Sequence, residues 1–103
     1  MDQRDDIINK VKRYRDLVLE NFPMKIEKTY LYGSFAKGTV RKDSDIDVAF
    51  IVECFLGNYF EVIPPIWKLT EQVDSRIEPK VVARDDDYAG FIEEIKRTGV
   101  ELV

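Results

Sequence analysis

The sequence predicts a small α/β domain, with helices packed on a mixed β-sheet, and three observations predict it. Apolar residues recur at helical spacing through residues 2–22. The run Asp45-Ile46-Asp47-Val48-Ala49-Phe50-Ile51-Val52 is apolar enough in its second half to be a strand buried on both faces. Helix-like and strand-like segments then alternate along the chain, in the order α-β-α-β-α-β-α-β. No repeat or low-complexity tract interrupts them, so residues 1–103 are expected to form one domain.

In the first helix, Ile7, Val11, Tyr14 and Val18 make the buried stripe, and Ile8 and Leu19 widen it. Asp2, Asp5 and Asp6 occupy the first turns, where the helix dipole favours anions, and Pro23 closes the segment. Lys10, Lys12, Arg13 and Arg15 fall outside the stripe and read as a solvated face. Residues 26–32 form a strand running into Gly33, and a short helical turn is expected from Ser34 to Thr39. After the strand at 45–52, the segment 53–63 has no clear period. Its residues Cys54, Phe55, Leu56, Tyr59 and Phe60 either fold onto the domain's own core or form a patch for self-association or partner docking. Pro64-Pro65 suits the start of a helix that runs to about Val73, with Ile66, Leu69, Thr70 and Val73 inward. Arg76 to Arg84 is a strand, which Pro79 assigns to an edge or a bulge. A helix carrying Phe91, Ile92 and Ile95 follows Asp85-Asp86-Asp87, Gly99 caps it, and Val100 to Val103 supply a last short strand.

Composition narrows the chemistry. The 103 residues carry 45% hydrophobic side chains, 35% charged ones and a net charge of −4, which disfavours non-specific binding to nucleic acid. With no histidine, imidazole acid–base catalysis, serine and cysteine triads and His-type zinc sites are excluded. The single Cys54 allows no intrachain disulfide and fits a reducing compartment. An acidic N-terminus and the lack of an apolar run near the roughly 18 residues of a membrane span predict a soluble, cytoplasmic protein. Carboxylates, hydroxyls, Lys, Arg and backbone amides are left to carry any reaction.

Two short motifs use those groups. Gly33-Ser34 lies where a strand turns into a helix, where glycine permits close approach of a ligand to the backbone. The helix N-terminus beyond it offers N–H groups to a phosphate, Ser34 adds a hydroxyl, and Gly38 permits a tight exit. A dozen residues on, Asp45 and Asp47 stand two apart on a strand and so share a face. At a rise of roughly 3.3 Å per residue their Cα atoms are about 6.6 Å apart, within reach of one shared cation. Mg²⁺, which takes oxygen ligands from carboxylates and phosphates together, is the natural counterion. One motif holds phosphate and the other holds metal.

Gly33-Ser34-Phe35-Ala36-Lys37-Gly38 followed by Ser44-Asp45-Ile46-Asp47 resembles the signature of the DNA polymerase β-like nucleotidyltransferases, and of the minimal nucleotidyltransferases in particular. Lys37 stands where an Arg is usual, keeping the charge without the planar fork. The resemblance implies a nucleotidyltransferase palm and transfer of a nucleoside monophosphate, with ATP the default donor, to an acceptor hydroxyl. It implies a two-ion Mg²⁺ site on Asp45 and Asp47, with phosphates oriented by Gly33, Ser34, Lys37 and Gly38. It also implies a third carboxylate on a neighbouring strand, for which Glu78 is the candidate and Asp74 and the Asp85–Asp87 cluster are rivals. The usual companion in that family is a small helical HEPN protein, the two forming a toxin–antitoxin pair in which the nucleotidyltransferase adenylylates the toxin. The alternative reading is a degenerate palm that neutralises its partner by binding alone.

Overall fold

The computed structural model describes residues 3–22, 25–33, 45–53, 58–86 and 90–102. Helix α1 (Gln3–Asn21) precedes strands β1 (Ile26–Tyr32) and β2 (Ile46–Val52), and helix α2 (Tyr59–Lys68) continues into a 3-10 turn, Leu69–Gln72. Strand β3 (Ile77–Ala83), helix α3 (Phe91–Thr98) and strand β4 (Val100–Leu102) complete the described order. The strands form one sheet in the order β3-β2-β1-β4. β1 runs antiparallel to β2 and β4, whereas β2 and β3 are parallel. This is the mixed α/β sheet that the element order predicts.

Side-chain alternation divides the sheet into two faces. On one, Ile46, Val48, Phe50, Ile77, Val81, Leu31 and Leu102 meet Ile7, Val11, Tyr14 and Val18 of α1 and Ile66 of α2. The expected helix stripe is fully buried there, while Leu19 remains 43% exposed. Tyr14 stacks on Phe50 and donates its hydroxyl to the Ile66 carbonyl, so a buried polar atom ties α1 to α2. Burial pushes the Tyr14 phenol far above its ordinary pKa. On the other face, Tyr30, Ala49 and Ile51 pack under Ile92 and Ile95 of α3. β2 is therefore covered on both sides, as its apolar run predicts.

One local expectation is corrected. Helix α2 begins at Tyr59, where the Asn58 side chain accepts the Phe60 N–H, so Pro64 and Pro65 lie inside the helix and not at its start. Neither proline can donate a helix hydrogen bond, and both lie on the exposed side of α2. Gly99 caps α3 as expected, donating its N–H to the Ile95 carbonyl from an extended conformation (φ −96°). Glycine is required there by proximity: a Cβ would stand 2.8 Å from the Ile95 carbonyl and 3.0 Å from that of Leu31. Pro79 sits on β3, an edge strand, as expected. The turn expected at Ser34–Thr39 lies outside the described residues, as do Cys54 and Phe55; Phe60 is 84% exposed.

Candidate active site

The chemistry-bearing residues gather where β1 ends and β2 and β3 begin, on the α3 face of the sheet. Asp47 is paired with Tyr32 across the antiparallel ladder and with Glu78 across the parallel one. Both neighbours share its face, which sets Tyr32, Asp47 and Glu78 in a row across three strands. Gly33 follows Tyr32 directly and has φ +72°, a left-handed conformation that favours glycine. A Cβ at Gly33 would come within 2.1 Å of Asp47 Oδ2. The carboxylate thus lies over the bare Gly33 backbone, and the two sequence motifs meet in space through this contact.

Electrostatics mark the same spot. Asp47 is half-buried, and burial pushes its pKa up to about 6; Glu78, by charge and by accepting a hydrogen bond from the protonated form, and the charge of Asp45 push the same way. The Tyr32 phenol rises to about 12, first through burial and then through the charges of Asp47 and Glu78. Acidic groups are crowded here at a cost to the fold, which makes this end of the sheet the candidate site. Asp45 precedes β2, is exposed, and joins no strand ladder. Among the described residues, no three acidic side chains form a cluster with metal-ligand geometry. The pair formed by Asp47 and Glu78 nonetheless fits a hard divalent cation, since its donors are oxygens and a cation would relieve the repulsion that raises Asp47.

Other sequence candidates separate from this group. Ser34, Lys37 and Gly38 lie outside the described residues. Asp74 accepts from the Arg76 backbone N–H at 2.9 Å, from Arg76 Nη2 at 2.8 Å and from Lys10 Nζ at 3.0 Å. Hydrogen bonds from Arg76, more than any other influence, hold its carboxyl well below the usual range, so Asp74 fastens α1 to the entry of β3. Arg84 to Asp86 form a 3-10 turn. Sequence reasoning missed Tyr32 and Phe91. Their rings meet edge to face at 5.6 Å, and Lys80 Nζ lies 4.6 Å from the centre of the Phe91 ring. The only signal for Tyr32 was its position immediately before Gly33.

Comparison with known proteins bears on the family and the fold. A nucleotidyltransferase domain family model matches residues 11–102. The chain is similar to MJ0141 of Methanocaldococcus jannaschii, named as a candidate protein adenylyltransferase, with 25% identity over 94% of this chain and 99% of that protein. It is 32% identical to the protein adenylyltransferase MntA of Shewanella oneidensis over 63% of this chain, a match that spans 42% of MntA. Among solved structures, a candidate nucleotidyltransferase from Sulfolobus solfataricus superposes with a TM-score of 0.65 at 19% identity, covering 95% of this chain and 80% of that one. A toxin–antitoxin structure with AMP-PNP superposes with a TM-score of 0.63 at 26% identity, covering 93% and 72%.

Proposed function

The chain belongs to the nucleotidyltransferase domain family, and on that premise we propose that it transfers AMP from ATP to a hydroxyl of a partner protein, with Mg²⁺, as the antitoxin of a HEPN toxin–antitoxin pair. The observation that carries this reading is the register pairing of Asp47 with Glu78, set against the bare backbone of Gly33. The names of MJ0141 and MntA support adenylylation as the reaction, and the AMP-PNP complex supports an adenine nucleotide as donor.

In this reading Asp45 and Asp47 would hold Mg²⁺, with Glu78 either completing that site or acting as the proton acceptor, and the metal would supply positive charge to offset that of the triphosphate. Gly33 leaves room for the phosphates to approach the main chain. Ser34, Lys37 and Gly38 orient the β- and γ-phosphates, an assignment that rests on the sequence motif. The acceptor oxygen bonds to the α-phosphorus as the bond to the β-phosphate oxygen breaks. Pyrophosphate leaves, and the acceptor's proton passes to Glu78 where that carboxylate does not serve the metal, and otherwise to solvent. Positioning and electrostatics suffice for such chemistry, so a chain without histidine can perform it.

The test is transfer of label from α-labelled ATP, with Mg²⁺, to proteins of the source cell or to a co-expressed HEPN partner. Label should reach one protein band and disappear with Asp47→Asn. A folded wild-type protein that labels nothing with any nucleoside triphosphate, yet still binds the partner, would replace this reading with that of a non-catalytic antitoxin.

A further inference from the structure

Lys80 poses a question of its own. It lies two residues beyond Glu78 on edge strand β3 and so shares the face of the carboxylates, opposite Ala49 in the register. An ammonium on a four-carbon stem at that spacing can reach the Glu78 carboxylate. Yet among the described residues Lys80 enters no ion pair. Its ammonium stands instead over the Phe91 ring, which is itself fixed by the edge of Tyr32 and packs against the cluster under α3. An exposed ion pair and an exposed cation–π contact are similar in strength, each at most about 1 kcal/mol. A well-placed ring therefore decides which one forms.

We infer that Phe91 is a positioning residue: its ring holds the Lys80 ammonium off the Asp47–Glu78 pair and so keeps that pair open to a divalent cation. The inference rests on the cation-binding role proposed above for the two carboxylates. Were the ring absent, Lys80 would fall onto Glu78 and compete with the cation as a tethered charge.

Mn²⁺ alone is the probe, read by paramagnetic broadening of the Gly33, Asp47 and Glu78 amide resonances, with Asp47→Asn as control and circular dichroism to verify each fold. Phe91→Leu keeps an apolar side chain but removes the π face. It should weaken Mn²⁺ binding about fivefold, the factor for one surface ion pair at the upper end of its range. The double variant Phe91→Leu/Lys80→Met should regain wild-type affinity, because the competitor is gone. Lys80→Met alone should bind Mn²⁺ at least as tightly as the wild type. Unchanged binding by Phe91→Leu, a loss that Lys80→Met fails to rescue, or weaker binding by Lys80→Met alone would each overturn the inference while leaving the carboxylate site intact. Wild-type broadening that does not depend on Asp47 would overturn the carboxylate site itself, and this inference with it.

Discussion

Replacing Asp47 by asparagine should make the protein more stable at neutral pH while it abolishes transfer. The folded-state pKa of Asp47 is about 6, against 3.8 for an ordinary aspartate. A carboxyl whose pKa rises on folding stabilises the fold below its unfolded value, and that contribution is lost as pH climbs through the folded value. At pH 7 the ionised Asp47 is thus a burden on the fold. At about 1.4 kcal/mol per pKa unit the shift amounts to roughly 3 kcal/mol at most. Because Asp47 is only half-buried, solvent screening reduces this to about 1–2 kcal/mol. Asparagine is nearly the same shape and carries no charge, so the variant should recover that amount. In a domain of this size the gain is a rise of about 5–10 °C in Tm. The assay is paired thermal and urea unfolding of both proteins, without divalent cations, at pH 7.5 and pH 4. The advantage should be clear at pH 7.5 and should shrink towards zero at pH 4, where Asp47 is protonated. Millimolar Mg²⁺ should stabilise the wild type and not the variant. A variant that is no more stable at pH 7.5, or equally more stable at both pH values, would refute the crowded-carboxylate account.

Gly33→Ala forces a left-handed alanine and drives a methyl group into the Asp47 carboxylate. The carboxylate can swing aside, so stability should fall by only about 1–2 kcal/mol in urea titrations, whereas label transfer should be lost. Asp74→Asn removes charge-assisted bonds to Arg76 and Lys10 and should cost about 1–3 kcal/mol at pH 7 without altering the nucleotide affinity measured by calorimetry. Tyr14→Phe keeps the stack on Phe50 but leaves the Ile66 carbonyl without its donor; equilibrium unfolding should show a loss of about 1 kcal/mol, with transfer unchanged.

How much of this the sequence revealed depended on the range of the interactions involved. The α1 stripe and the β2 run were legible because periodicity records which side of an element is buried: Ile7, Val11, Tyr14 and Val18 are buried, while Leu19, at the margin of the stripe, stays exposed. The partnership of Asp47 with Gly33 was legible only as a motif, because it depends on β1 and β2 pairing antiparallel. The place of Glu78 could be anticipated from a strand-like segment, but its register opposite Asp47 is a property of the assembled sheet. Helix α2 was misjudged because proline argues locally against a helix interior. Burial of Ile66, with Val62, Ile63 and Leu69 packed behind it, outweighed that preference. Tyr32 and Phe91 were invisible as a pair: 58 intervening positions separate them in the chain, and only the packing of α3 on the sheet joins them.

Two aspartates show how a fold separates support from chemistry. Asp74 and Asp47 are the same residue type in one small domain, yet their pKa values move in opposite directions. Asp74 is met by an arginine, a lysine and a backbone N–H, so its contribution to stability is present at neutral pH and is lost only as strong acid protonates it. Asp47 is opposed first by burial and then by Glu78 and Asp45, so ionisation there opposes folding above about pH 6. A chain selected for stability alone would give both positions the surroundings of Asp74, or would replace Asp47 with a neutral residue. Retaining a carboxylate at the unfavourable position makes sense where a ligand supplies the missing positive charge. The direction of the shift, and not the count of acidic residues, therefore marks Asp47 as the candidate for that role, and the sheet register sets it beside Gly33 and Glu78.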